Sequence, residues 1–439
     1  MQYSFYIILS FIYMTTQNKK SKSERNYYDV VIIGGGIAGL YSAYNIHKMS
    51  PTTSVVILER YKQKWFGGRL GNEMFQGVEV VNGAGVGRKE KDYLLIELMK
   101  ELKIHYSEFQ VKPSYSPLIQ PPCDVKKLIS LLRREFKSQN EPKNLTFKEF
   151  ATSVLGTDMY NHFITCAGYT DYENEDVYDT LYQYGFEDNF TEWTALHIPW
   201  KKLVYRLAEK VGNVRISSKV TNITKNSAGH FLIQTEKGSE PGPNYECKKV
   251  IIATDISCLL KILPKDVPNR ALYEQIHGQP FLRVYGRFSK DSLPILDKFV
   301  QSYTIVPGPI YKIIPMDRKK GVYMIAYTDN NGALFLKKYL ENTEKNRHFF
   351  AYLVEKSLGL PQNTLHLLAI KDFYWPIGTH YYGPLDHNKF KNRREFVKEL
   401  QHPEPNMLVV GEMISMNQGW TQGALESVQM GLTKKWIQR

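Results

Sequence analysis

Val30-Val31-Ile32-Ile33-Gly34-Gly35-Gly36-Ile37-Ala38-Gly39 decides the fold of this chain. Four apolar residues without polar alternation predict a strand buried on both faces. Leu40, Ala43, Tyr44 and Ile46 then supply the apolar stripe of a helix, which Pro51, Thr52 and Thr53 close. Val55 to Leu58 reads as a second buried strand, so 28–59 forms a βαβ unit of about 30 residues. Between strand and helix lies G-x-G-x-x-G. Gly34 permits the tight turn, Gly36 lets the backbone approach a pyrophosphate, and Gly39 lets the helix pack closely on the sheet. The free N–H groups at the helix start, at Ile37 and Ala38, and the positive end of its dipole would meet phosphate charge. Glu59, about 20 residues beyond Gly39, ends the second strand where a carboxylate accepts hydrogen bonds from ribose hydroxyls and repels a 2′-phosphate. The ligand expected from this unit is a dinucleotide without that phosphate.

Outward from this unit the pattern is mixed. Helices are expected over Leu94 to Leu102, Val125 to Phe136, Lys201 to Val211 and Arg347 to Leu358, and a single closing helix over Gly423 to Ile437. Short strands are expected at Val214 to Ile216, Lys219 to Ile223, Phe231 to Gln234, Val250 to Ala253, Phe299 to Ile305, Val322 to Tyr327 and Met407 to Val410. Pro113 to Pro122 reads as a proline-rich connection. No internal repeat occurs at periods of 20 to 50 residues.

The chain has 439 residues, is 43% hydrophobic and carries 30 tyrosines, enough for a large packed core. Its net charge of +13 is scattered, without a basic tract interleaved with aromatics, which argues against a nucleic-acid partner. The segment 171–192 is the acidic exception, with Asp171, Glu173, Glu175, Asp176, Asp179, Glu187 and Asp188. It reads as a solvated surface loop, or else as an attractor for a polyamine or a lysine-rich peptide. Cys123, Cys166, Cys247 and Cys258 show neither metal-ligand spacing nor the density of a secreted disulfide scaffold, which points to a reducing compartment and to no metal site. Asn144, Asn189 and Asn222 head N-x-T triplets that matter only in a secretory pathway. Tyr3 to Met14 is apolar but shorter than the roughly 20 residues of a span. Residues 1–26 therefore read as a dispensable or weakly anchoring leader before a cytoplasmic body, with Met14 a second candidate start.

Three further motifs carry a family resemblance. The stretch from Arg60 to Arg69 ends in Gly67-Gly68-Arg69. Near the C-terminus, Val410-Gly411-Glu412 precedes Gly419-Trp420-Thr421-Gln422-Gly423-Ala424-Leu425-Glu426-Ser427. Trp200 to Ala208 leads to Ser218-Lys219-Val220-Thr221-Asn222-Ile223, and Gly83-Ala84 follows Val80-Val81-Asn82. Together these resemble the flavin-containing amine oxidases, the family of monoamine oxidase, polyamine oxidase and the flavin histone demethylase. The spacing from Glu59 to the arginine is slightly longer than usual, and Val428 replaces the glycine that usually follows the motif serine.

The resemblance implies an α/β protein. Its Rossmann-like FAD-binding domain would be assembled from 27–105, 196–263 and 390–439, with a second α+β substrate domain from 106–195 and 264–389. It implies non-covalent FAD, since no cysteine stands near Thr379 or His380. Arg60, Gly67, Gly68 and Arg69 would approach the pyrophosphate and isoalloxazine, Gly83 and Ala84 the reacting face, and the Val220 backbone the adenine. Gly411, Glu412, Thr421, Gln422 and Ala424 would hold the ribityl and pyrimidine side. Trp420 would form one wall of an aromatic cage and Tyr381 or Tyr382 the other. Arg283 stands where many members carry a lysine; a guanidinium stays protonated and would hold an anion or stabilise reduced flavin rather than act as a base. The implied activity is oxidation of a small amine with oxygen as acceptor. A non-amine flavin oxidase or desaturase and a non-catalytic flavin-binding protein remain alternatives.

Overall fold

A computed structural model describes residues 26–187 and 191–438. The leader, including Met14, lies outside the described residues apart from Asn26, as do Asp188 and Asn189. Strand β1 (Asn26–Ile33) runs into helix α1 (Ile37–Met49) and strand β2 (Val55–Leu58), and β1 and β2 pair in parallel from Val30↔Val55 to Ile33↔Leu58. Alternation of side chains along β1 divides the core. Val30 and Ile32 join Leu40, Ala43 and Ile46 of α1 and Leu203, Leu207 and Val211 of the helix Trp200–Val211. Val31 and Ile33 face the opposite way, toward Ile223, Phe231 and Leu259. Both faces are thus covered, as the unbroken apolar run requires.

The sheet is completed from distant parts of the chain. In order it runs Lys219–Lys225, Phe231–Lys237, Tyr245–Ile252, β1, β2 and Val214–Arg215. Tyr245–Ile252 pairs in parallel with β1 on one edge, and on its other edge Val250 to Ile252 pair in parallel with Met407–Val409. A second sheet runs Leu367–Tyr382, Ile276–Phe288, Val322–Asp329, Lys312–Asp317, Tyr303–Ile305 and Pro113–Tyr115. Helices between Val125 and Tyr182 pack beside it around Phe136, Phe147, Phe163 and Tyr172. Among the described residues no helix is long and apolar enough to cross a membrane.

Several expectations are corrected. The closing helix is two: Thr421–Gly431 and Lys434–Gln438, separated where Thr433 Oγ1 accepts the Trp436 N–H. Phe299 ends a helix, Leu293–Phe299, whose start Pro294 favours, and the strand is only Tyr303–Ile305. The proline-rich connection contains an edge strand, Pro113–Tyr115, a position that tolerates proline. The acidic segment is not a solvated loop. Glu175, Asp176 and Asp179 are buried, and Asp176 caps the helix Val177–Tyr182 by accepting from the Tyr178 and Asp179 amides. Arg393 Nε meets Asp179 at 2.6 Å, so part of the acidic charge is neutralised inside the protein.

The cysteine reading is corrected as well. Cys123 and Cys166, 43 residues apart, form a disulfide that ties the segment before the helix Val125–Ser138 to the helix Thr157–Ala167. Spacing along the chain gave no sign of it, because packing of these helices creates the proximity. His162 lies beside the pair, but both sulfurs are already bonded to each other.

Candidate functional site

The carboxyl ends of β1, β2 and Tyr245–Ile252 open into a cleft of about 1280 Å³, walled on its far side by the second sheet. Small-molecule pockets usually hold roughly 300–1,000 Å³. This one has room for an elongated dinucleotide and a substrate.

The glycine loop forms its floor. Gly34 has φ +111°, and a Cβ there would lie 2.3 Å from the Ala253 carbonyl oxygen. A Cβ on Gly39 would stand 2.0 Å from the Gly34 carbonyl oxygen, so this glycine serves helix-to-strand packing. Gly36 differs: a Cβ would meet no protein atom within 4 Å, and the residue lines the cleft with Ile37 and Ala38. The backbone is left bare where phosphate oxygens would need to approach. Glu59 also lines the cleft and is held rigidly, one oxygen accepting the Gly35 amide and the other the Tyr61 amide, each at 2.7 Å. Burial pushes its carboxyl up. Arg60 lies over the Tyr61 ring and donates to the Cys258 sulfur.

Gly67, Gly68 and Arg69 line the middle of the cleft, and Gly68 again has an open Cβ direction. Arg69 Nη1 donates to the Gly378 carbonyl at 2.7 Å and to Glu412 Oε2 at 3.0 Å. Glu412 additionally accepts from His380 Nδ1, from the His380 amide and from the Gly419 amide. Burial alone would raise its carboxyl, but the His380 and Arg69 charges outweigh burial and hold it well below the usual carboxylate range. Gly83 packs on Arg69, with its Cβ direction 2.1 Å from the Arg69 carbonyl oxygen, and the Ala84 amide donates to that oxygen at 2.7 Å. Val220 lines the cleft, as do Gly411, Thr421 and Ala424, and the helix Thr421–Gly431 starts at its edge. Such a helix start favours negative charge.

Not every residue singled out in the sequence faces this space. Gln422 is buried, and its Oε1 accepts from the Leu94 and Leu95 amides, so its side chain caps another helix, Tyr93–Glu101. Tyr382 is buried with its hydroxyl donating to the Ser415 carbonyl, and Tyr381 stacks on His277. Both line a smaller neighbouring cavity with Asp171, Glu175 and Asp179 rather than the large cleft. Trp420 does line the large cleft, with the Arg88 guanidinium 3.7 Å from its ring centre. Arg283 lines it too.

Other lining groups gave little sign in the sequence. Tyr169, Tyr303, Tyr327 and Phe373 come from four separate segments and form an aromatic wall. Thr254, Asp255 and Cys258 follow the strand Tyr245–Ile252; Asp255 caps the next helix by accepting the Cys258 amide, and an Asp so placed after an apolar strand was the available signal. Asp171 touches both cavities. Burial, and then the nearby Asp329 carboxylate, push its carboxyl up to about 7, while Tyr184 donates to it at 2.6 Å.

A glycine loop and an acid at the ends of parallel strands, met by the start of a C-terminal helix and covered by a second sheet, define a mixed α/β FAD-dependent oxidoreductase. Residues 37–429 match the family described as flavin containing amine oxidoreductase, and the chain belongs to that family. Its structure is similar to that of putrescine oxidase bound to putrescine, with a TM-score of 0.71 at 14% identity over 94% of this chain and 99% of that one. A putrescine oxidase redesigned in cofactor binding gives a TM-score of 0.71 at 15% identity over the same shares. At such identities the likeness is one of fold. In sequence the chain is similar to an uncharacterized protein of Acanthamoeba polyphaga mimivirus, 23% identical over 501 residues that cover 92% of this chain and 93% of the relative.

Proposed function

We propose that the protein oxidises a small amine, mono- or polyamine, with oxygen as the final acceptor and hydrogen peroxide as product. The observation that carries this reading is the joining of a dinucleotide cleft to an aromatic wall in one continuous space, with Trp420 and Tyr327 both lining it. Bound FAD supplies the acceptor for a hydride equivalent from the substrate carbon next to nitrogen. The residues of the chain do the rest. Gly36, Ile37 and Ala38 would take the pyrophosphate, Glu59 a ribose, Val220 the adenine, and Arg69 with Gly83 and Ala84 the ring system. The start of the helix Thr421–Gly431 would favour the negative charge that develops on the pyrimidine side during transfer. Trp420 and the facing aromatics would orient the amine and exclude water.

Attachment of FAD is non-covalent in this reading. Of the two thiols outside the disulfide, Cys247 is buried in the sheet core, and Cys258 sits with Arg60 at the ribose end. Anaerobic mixing of the purified holoprotein with mono-, di- and polyamines tests the proposal. Bleaching of the flavin absorbance near about 450 nm, expected of flavin chemistry in general, supports it. Bleaching by dithionite but by no amine, amino acids included, sinks it.

A further inference from the structure

Arg283 lies on a paired strand, Ile276–Phe288, directly across from Tyr327 on one neighbour and Phe373 on the other. Directly opposed residues share a face of the sheet, so this guanidinium is set into an aromatic surface, where buried Lys312 approaches the same Tyr327 ring at 5.0 Å from its centre. It is 7% exposed. Its carbon lies 4.0 Å from the Tyr327 ring centre, Nη1 is 3.8 Å from Met324 Sδ, and a Cβ built on Gly85 would stand 3.1 Å from Nη2. Rings and sulfur accommodate a flat guanidinium but neutralise no charge. Among the described residues no carboxylate lies within ion-pair distance of it.

The nearby acids are engaged elsewhere. Asp329 accepts from the Thr170 amide at 3.0 Å and from the Thr170 hydroxyl, and Asp171 accepts from Tyr184. Both act on buried Lys312, whose amine donates to the Gly168 carbonyl. An arginine keeps its proton and presents a planar fork of donors that matches a carboxylate. A buried charge without a counter-charge is costly, so a guanidinium on the wall of a binding cleft with only the Tyr285 hydroxyl, aromatic rings and a sulfur beside it points to an anion that arrives with the ligand. The smaller acidic cavity offers less to a second ammonium than its composition suggests. Arg393 already pairs with Asp179, and burial pushes the Glu175 carboxyl well up toward its neutral form.

We propose that Arg283 binds a carboxylate of the substrate, so that the amines oxidised here are amino acids, with an apolar side chain lying against Phe281, Met324 and Phe373. This rests on the amine-oxidation reading above. With the carboxylate held by Arg283 and the amine in its neutral form, the Cα–H bond of the substrate breaks with its electron pair passing to the flavin, and the nitrogen loses a proton as the C=N bond forms. Water then adds to the imino acid and ammonia leaves, while oxygen takes up the two electrons and two protons as hydrogen peroxide.

Calorimetric titration of the oxidised holoprotein with benzoate and with benzylamine, probes of equal size that differ in the charged group, tests the binding without turnover. Benzoate is expected to bind, Arg283→Lys to weaken it, and Arg283→Gln to weaken it by about tenfold or more while flavin content is kept. Benzylamine binding without benzoate binding to the natural protein overturns the proposal whether or not a variant folds, and so does equal benzoate affinity in Arg283→Gln. Anaerobic reduction by phenylalanine and by phenethylamine separates the two readings. Reduction by phenethylamine alone overturns the amino-acid assignment and leaves amine oxidation standing. Reduction by neither overturns the amino-acid assignment and leaves amine oxidation to be decided by the panel of mono-, di- and polyamines.

Discussion

Gly36 and Gly39 are three residues apart in one motif yet answer to different constraints. Gly36→Ala adds a methyl group that meets no protein atom but enters the cleft, whereas Gly39→Ala drives a methyl group into the Gly34 carbonyl. Gly36→Ala is therefore expected to give a folded, colourless protein, and Gly39→Ala an unfolded or insoluble one, as read by circular dichroism and flavin content. Glu59→Ala orphans the Gly35 and Tyr61 amides besides removing a ribose acceptor, at about 1–3 kcal/mol per buried donor. Purified Glu59→Ala should carry less flavin than the natural protein; unchanged flavin content would contradict the role given to this residue. Glu412 makes a prediction in pH. A carboxyl held below its unfolded value stabilises the fold fully above the unfolded titration range and loses that contribution progressively as pH falls from that range toward the depressed folded value. Glu412→Gln should cost about 3 kcal/mol of stability at neutral pH, the low end for a broken buried pair, seen as a lower melting temperature, and flatten the acid limb of the profile.

At the scale of elements, βαβ segments were legible because local pattern and burial agree: an unbroken apolar run needs cover on both sides, and α1 and the antiparallel strands supply it. What the sequence hid depends on distant contacts. Asp176 and Asp179 look like surface acids until Arg393, more than 200 residues on, is brought beside them. Gln422 sits in a cofactor motif but points into the seam between two helices. Gln422→Ala should thus destabilise the protein by about 1 kcal/mol, the usual value of a lost helix cap, with flavin affinity nearly unchanged. Thermal melts with and without added FAD separate these effects. The aromatic wall was equally hidden, since 30 tyrosines make any one of them a poor marker. The Cys123–Cys166 bond closes a segment of 43 residues, for which chain entropy gives about 4 kcal/mol. Cys123→Ser should lower thermal stability accordingly and act first on the neighbouring helices, as hydrogen exchange would reveal.

Across the whole molecule, the second sheet is tied to the segment that follows β2, from Arg69 to Asn82, by a few polar contacts around the cofactor cleft. Arg69 reaches the Gly378 carbonyl, Trp375 Nε1 the Asn82 carbonyl at 2.6 Å, and Tyr285 the Val81 carbonyl at 2.7 Å. A ligand spanning that seam should stabilise the entire fold. Removal of FAD is expected to lower the melting temperature, by about 2.7 kcal/mol of stability relative to FAD at a hundredfold excess over its dissociation constant, and re-addition to restore it. One feature bears on biogenesis. Tyr245–Ile252 stands between a strand from the beginning of the chain and Met407–Val409 from its end, and the helix that completes the cleft follows that last strand. The sheet and the cleft therefore stay unfinished until Met407–Val409 and the helix after it have been synthesised, so cofactor loading comes late in the making of the chain and not with its opening βαβ unit.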